Sequence, residues 1–271
     1  MFNHHEERPV PTIALVDSGI GLLAAAAAVR RLRPDAHLIL SGDPDGMPWG
    51  PRTPEDLSAH ALACARAAAE HAPDALIVAC NTASVHALDA LRAELEPGIP
   101  VIGTVPAIKP AAAGGGPVAV WATPATTGSA YQRGLIAEFG TGAEVVEVPC
   151  PGLAEAVEYA DEAAIALAVA AAAARTPRQV SSLVLGCTHY ELVADRIRAA
   201  VQAPDSAPLA FHGSAGAVAA QALRRIGSGP APDAPQTGRL TVIHSGRLSD
   251  LQAHALAYPE GRLLSAACLP R

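Results

Sequence analysis

Short runs rich in Val, Ile and Leu recur along this chain, separated by alanine-rich stretches, and that alternation constrains the fold more than any other feature. IALV (13–16), HLIL (37–40), ALIV (75–78), PVI (100–102), VAVW (118–121), EVVEV (144–148), SLVL (182–185) and PLAF (208–211) read as strands. Most are apolar along their whole length, as in strands covered on both faces. The segments between them, such as PEDLSAHALACARAAAEH and ASVHALDALRAEL, have helical composition. The pattern predicts an α/β protein with mainly parallel sheets flanked by helices.

The units also recur in order. LIVACNTASVHALDALRA resembles LVLGCTHYELVADRIRA, placing Cys80 and Cys187 107 positions apart. VDSGIGLLAAAAAVRRL and WATPATTGSAYQRGLI share a layout with Asp17 and Thr123 106 apart, and Pro100 and Pro208 open a third pair 108 apart. Parallel strands look alike, so similar units also arise by chance. The near-constant offset and the matched cysteines favour two similar lobes related by a pseudo-twofold axis. The first is expected to be discontinuous, residues 1–102 plus 212–271, and the second to run over 103–211, with hinges near 103 and 212. Ligands of open α/β sheets bind beyond the carboxyl ends of the strands. Asp17-Ser18, Cys80-Asn81-Thr82, Thr123 and Cys187-Thr188-His189 all fall there, around a cleft between the lobes.

Composition excludes several classes of function. A net charge of −7 and the lack of any basic run argue against a nucleic-acid partner. The longest apolar run, AAIALAVAAAAA (163–174), is too short to span a bilayer. It follows Asp161-Glu162 and ends at Arg175, as a helix matched to its dipole would. The polar start MFNHHEERP lacks a signal-peptide core, so the expectation is a cytoplasmic protein with no membrane partner. Five cysteines (64, 80, 150, 187 and 268) without CxxC spacing read as free thiols, and no zinc signature is present. Gly114–Gly116 precede a strand instead of following one, so no dinucleotide or phosphate loop forms there. No cofactor and no metal are expected.

Two thiols facing one cleft suit removal of a proton from one side of a carbon and its return on the other. A free thiol has a pKa of about 8.5, so one cysteine must be held as a thiolate and its partner as a thiol. Asp17 and His189 are placed to set those states. Backbone amides and the hydroxyls of Ser18, Thr82, Thr123, Thr126 and Thr188 could stabilise developing charge. Blander readings stand beside these. Either cysteine alone would serve as core filler. Asp17 or Ser18 could cap a helix, His189 could pack beside Tyr190, and Trp49 could be a packing residue in a loop. Glu155 and Glu158 lie three apart, on one face if their segment is helical. Cys64 and Cys268 read as structural or incidental, and Cys150 as a buried turn residue between Pro149 and Pro151.

The segments DSGIG (17–21), PWG (48–50), ACNTAS (79–84), PVIGTVPAIKPA (100–111), ATPAT (122–126), CPGLAEAVE (150–158) and LGCTHYELV (185–193) resemble the glutamate racemase family, in order and over roughly residues 13–200. The resemblance implies two α/β lobes around a cleft. It implies cofactor-independent interconversion of L- and D-glutamate, the D-isomer serving peptidoglycan synthesis. In that pattern Cys80 takes the α-proton of D-glutamate and Cys187 that of L-glutamate, with Asp17, His189 and Glu158 assisting. Asp17, Ser18, Trp49, Gly50, Asn81, Thr82, Thr188 and His189 fall where the family contacts substrate, and a homodimer is the family expectation. The chain also departs from the pattern. Trp49 stands for the usual Tyr, Arg52 for a Lys, Leu22 for a second Gly and Arg247 for an Asp, and FHGSAG (211–216) lacks an expected Asp. Racemisation of another amino acid such as aspartate, or binding of an acidic ligand or a protein partner without turnover, are the alternatives. A single-thiol reaction such as malonate decarboxylation fits less well with two cysteines.

Overall fold

The computed structural model of this protein describes residues 10–202 and 207–266. His4, His5 and Cys268 lie outside the described residues. Each of the eight apolar runs forms a strand. In the first half these are β1 (Thr12–Asp17), β2 (His37–Gly42), β3 (Ala75–Val78) and β4 (Val101–Gly103). In the second they are β5 (Val118–Ala122), β6 (Val145–Pro149), β7 (Ser182–Leu185) and β8 (Ala210–His212). Helices α1 (Leu22–Leu32), α2 (Pro54–Ala69), α3 (Asn81–His86), α4 (Leu88–Leu95) and α5 (Ile108–Ala113) precede β5. Then come α6 (Ala130–Phe139), α7 (Leu153–Glu158), α8 (Glu162–Arg175), α9 (Thr188–Glu191), α10 (Ala194–Val201) and α11 (Ala215–Arg225). The described chain closes with β9 (Leu240–His244), β10 (Arg247–Ser249), a 3₁₀ helix (Ala253–Ala257) and α12 (Pro259–Ala266).

Two sheets form, ordered β10-β9-β2-β1-β3-β4 and β6-β5-β7-β8. Within them β2-β1-β3-β4 and β6-β5-β7-β8 repeat one arrangement, parallel throughout. The repeat seen in the sequence is therefore a repeat of sheet topology. β9 and β10 extend the first sheet and were not expected from the sequence. β9 runs parallel to β2, and β10 returns antiparallel through a two-residue turn at Ser245 and Gly246, both at positive φ. That turn suits the twist of a tight hairpin.

The anticipated helix over 83–95 is interrupted at Ala87 (φ −117°, ψ −10°), giving α3 and α4. α8 forms as its end charges suggest, with the Asp161 carboxylate accepting from the Ala163 and Ala164 amides. Among the described residues no helix is long and apolar enough to cross a membrane.

Residues 13–16 of β1 are fully buried, as expected for a central strand covered on both sides. One face of the first sheet, α1 and one face of the second sheet share a continuous apolar cluster that includes Ile13, Leu23, Trp121 and Leu183. Truncating a side chain such as Leu23 to Ala there would cost about 2–5 kcal/mol. Buried Ala24–Ala27 give α1 small faces, and it packs against α9, α11 and α12. The two sheets are thereby held so that loops at their carboxyl ends face each other.

Candidate active site

Those loops enclose a cavity of about 440 Å³. Cys80 and Cys187 both line it. Each is the second residue beyond its strand, β3 or β7, and each immediately precedes a helix. Their backbones nearly coincide, with φ/ψ of −140°/120° at Cys80 and −138°/137° at Cys187. Two copies of one strand–thiol–helix corner thus present their sulfurs to one space. Neither cysteine uses its side chain as a helix cap.

Asp17 ends β1 and is fully buried beside the cavity. Its Oδ1 accepts from the Ser18 amide at 2.7 Å, and the Thr188 hydroxyl lies 3.5 Å from Oδ2. The N-cap position of α1 is Gly21, so neither Asp17 nor Ser18 is the cap that sequence alone allowed. Burial pushes the Asp17 carboxyl up to about 6, against the opposing pull of His189, the Cys80 thiol and the Ser18 amide. Burial, followed by the negative charge of Asp17, raises Cys80 well above the ordinary thiol range, while the Ala83 amide pulls the other way. Cys80 is accordingly held as a thiol beside a carboxylate that changes state near pH 6.

The second half is wired differently. Cys187 Sγ lies 3.9 Å from His189 Nδ1, and His189 Nε2 lies 2.9 Å from Glu158 Oε2. The same Glu158 oxygen accepts from the Ile20 amide at 2.8 Å. Burial works against the charged imidazole, but the contacts with Cys187 and Glu158 outweigh it and raise His189 well above its ordinary value. Burial also opposes ionisation of Glu158, and His189 with the Ile20 amide still brings its pKa below the usual carboxylate value. His189 is therefore a cation between a carboxylate and a thiol, the charge that a thiolate at Cys187 would pair with.

The glycines of DSGIG make this packing possible. A Cβ on Gly21 would stand 2.3 Å from Asp17 Oδ2, 2.5 Å from Thr188 Oγ1 and 2.6 Å from His189 Nδ1. A Cβ on Gly19 would stand 2.1 Å from Glu158 Oε2. Gly21 is in ordinary helical conformation (φ −56°), so the position needs an absent side chain and not an unusual backbone.

Of the residues singled out in the sequence, Asp17, Ser18, Trp49, Gly50, Cys80, Asn81, Thr82, Thr123, Thr126, Cys187, Thr188 and His189 all line the cavity. Both polar atoms of the Asn81 side chain are enclosed without a hydrogen-bond partner. A buried amide left in that state is costly unless something else satisfies it, so Asn81 is poised to bind a polar ligand. Trp49 contributes to the wall, but its one polar atom is taken: Nε1 donates to Asp43 Oδ2 at 3.0 Å.

Glu158 does not line the cavity; its contact with the site is the hydrogen-bond distance to His189. Glu155, three residues earlier on the same short helix, does line the cavity. Met47, Pro48, Pro51, Pro124, Ala125, Ala154 and Gly186 complete the lining, and sequence reasoning did not assign them to the site. Pro124 and Ala125 lay inside the quoted ATPAT segment, whose placement after β5 was the available signal. Cys64 on α2 and Cys150 after β6 are buried away from the cavity. Cys64 is pushed up to about 12 by burial, and so is Cys150.

Comparison with known proteins adds a second, independent line of information. A family model described as Asp/Glu/Hydantoin racemase matches residues 21–212. The glutamate racemase of Roseiflexus sp. is 40% identical over 195 residues, covering 69% of this chain and 70% of that protein. A Pseudomonas putida glutamate racemase is 36% identical over 227 residues, covering 82% and 83%. The crystal structure of Escherichia coli glutamate racemase in complex with L-glutamate and the activator UDP-MurNAc-Ala superposes with a TM-score of 0.77. It is 27% identical, and the match covers 96% of each chain.

Proposed function

This chain belongs to the Asp/Glu/Hydantoin racemase family, and on that premise we propose that it is an isomerase interconverting L- and D-glutamate by a two-thiol, cofactor-independent route. The observation that carries the reading is the pair Cys80 and Cys187, with matched backbones at matched strand ends, lining one cavity. A thiolate on one side removes the α-proton, leaving a carbanion whose charge spreads into the adjacent carboxylate. The thiol on the other side donates its proton to the opposite face of the same carbon. Atoms balance, and the two sulfurs exchange protonation states at each turnover.

In the assignment the family resemblance implies, Cys187 serves L-glutamate, with His189 as its charge partner and Glu158 holding His189. Cys80 serves D-glutamate, with Asp17 beside it. Asn81, Thr82, Thr123, Thr126, Thr188 and Ser18 supply neutral donors for the carboxylates and for the charge that develops. Among the described residues no Lys or Arg lines the cavity. Donors fixed in advance stabilise the carbanion more than the ground state, which is what lowers the barrier.

The same proposal divides the chain into lobes 1–102 plus 212–271 and 103–211. It is supported by the return of β9 and β10 to the first sheet and by α11 packing on β3 and β4. Hinges near 103 and 212 would let the cleft open, on the same reading. A role in supplying D-glutamate for peptidoglycan, a cytoplasmic location and a homodimer complete the proposal. Free thiols at Cys64, Cys80, Cys150 and Cys187 suit a reducing compartment. The test is a panel of L- and D-amino acids followed by chiral chromatography. Conversion of glutamate in both directions supports the reading. Conversion of aspartate in its place would redirect the substrate assignment, and tight glutamate binding without conversion would leave a binding protein.

A further inference from the structure

Glu158 has a second neighbour that the mechanism does not use. Its Oε2 is occupied by His189 and the Ile20 amide, whereas Oε1 faces His254 Nε2 at 3.6 Å. His254 sits on the 3₁₀ helix Ala253–Ala257, far along the chain from both lobes' cysteine corners. The Tyr258 hydroxyl fastens that helix to α7 by donating to the Val157 carbonyl at 2.5 Å. The Tyr159 ring meets the His254 ring edge-on, with centroids 6.1 Å apart. Nε2 is enclosed and has no hydrogen-bond partner, although the His254 side chain as a whole is 25% exposed. At 3.6 Å the two atoms are close but too far apart for a hydrogen bond. An enclosed ring nitrogen without a partner is costly, and the Glu158 oxygen lies in reach.

We propose that His254 is a positioning residue for the Cys187 half of the site, a fourth link in a chain Cys187–His189–Glu158–His254 that joins the cleft to the C-terminal segment. The inference rests on the proton-transfer reading of that half. Through its Nε2–H, His254 draws charge density from Glu158, so the carboxylate holds the His189 proton less tightly. His189 can then pass that proton toward Cys187 and recover it. Without His254, Glu158 would grip the imidazolium and slow the cycle.

Other titratable and charged groups also face this segment. His244 of β9 interacts with the charges of Glu158, His254 and Asp45. On α12, packed against the 3₁₀ helix, Arg262 donates to the Leu256 and Ala257 carbonyls, and Glu260 faces Arg31. Tyr159 offers a ring edge. In this proposal Glu158 is the charge that His254 acts on.

The test reads His189 directly and needs no substrate. With ¹⁵N-histidine labelling of the full chain, the His189 imidazole is assigned with the variant His189→Asn and titrated in the wild type, His254→Phe and His254→Gln. Phe fills the space without a donor; Gln keeps an N–H. The expected result is a His189 midpoint raised by about half a pH unit or more in His254→Phe and returned toward wild type in His254→Gln. In a Glu158→Gln background the difference between His254 and Phe should vanish, because the link is broken. An unchanged His189 midpoint in both His254 variants would overturn the proposal, as would an equal shift in the Glu158→Gln background. Steady-state racemisation separates this from the function itself. A wild type that fails to invert glutamate defeats the functional reading, whatever the titration shows. An active wild type with a His254→Phe variant of unaltered titration defeats this inference alone.

Discussion

The variant Gly21→Ala adds a single methyl group at the point where both halves of the site meet. The backbone there is helical, so Ala fits conformationally and would by itself favour the start of α1. The methyl would stand 2.3–2.6 Å from Asp17 Oδ2, Thr188 Oγ1 and His189 Nδ1. An unstrained contact needs at least 3.4 Å, so each of these atoms must retreat by roughly 1 Å. None of them is the free end of a long side chain: all three residues are buried. Overpacking of this kind costs about 1–3 kcal/mol of stability. A displacement of roughly 1 Å in a proton-transfer array costs on the order of 100-fold in rate. Gly216→Ala, on α11 with nothing within 4 Å of the added Cβ, is the matched control. Its expected effects are a stability gain of about 0.5–1 kcal/mol and unchanged turnover. Glutamate racemisation followed by circular dichroism, with urea unfolding of the same samples, reads both quantities. A Gly21→Ala protein within twofold of wild-type kcat/KM would refute the claim that these three groups must crowd one point.

The dependence on pH follows from Asp17. With its pKa near 6, kcat/KM should fall on the acid side with a midpoint near pH 6, and Asp17→Asn should remove that limb along with most activity. Because the folded-state value lies above the ordinary 3.8, the unfolded chain ionises Asp17 first. Its contribution to stability is therefore lost as pH rises from about 4 to about 6. Asp17→Asn should then stabilise the protein by up to about 3 kcal/mol at pH 7 and by nothing below pH 4, and thermal melts at the two pH values check this. Asn81→Ala removes a buried amide with no protein partner, so melts should be unchanged or higher while KM rises about tenfold. An unchanged KM would remove Asn81 from substrate binding. Glu158→Gln should lower kcat while leaving KM within a few-fold, since Glu158 is outside the cavity wall.

How much could be read in advance depended on the kind of signal each element carried. The eight apolar strands were legible because strands buried on both faces write themselves as unbroken Val/Ile/Leu runs. β9 and β10 were not. LTVIH mixes polar and apolar residues at the sheet's margin, β10 is exposed, and Arg247, which departs from the family's Asp, opens β10 just after the hairpin turn at Ser245 and Gly246. The two thiols were legible from a repeated context, and their matched backbones follow from the repeated topology. Glu155 and Glu158 were inseparable on paper, since both fall on one short helix. The 2.9 Å contact between Glu158 Oε2 and His189 Nε2 shows which one holds His189. Trp49 does line the cavity, but the Asp43 partner that occupies its indole lay outside any pattern in the sequence. His254 carried no local signal at all, because its meaning lies in a contact across 96 residues of chain with Glu158.

The central claim is that Cys80 and Cys187 work from opposite faces of one carbon. Incubating the protein with L-glutamate and, separately, D-glutamate in D₂O, and following inversion and α-deuteration together at early times, tests it most directly. The account predicts that the inverted product carries deuterium at Cα while unreacted substrate keeps its protium, from both starting isomers. Deuterium entering recovered substrate faster than inversion proceeds, or inversion that retains the original proton, would mean one base serves both faces and would contradict it.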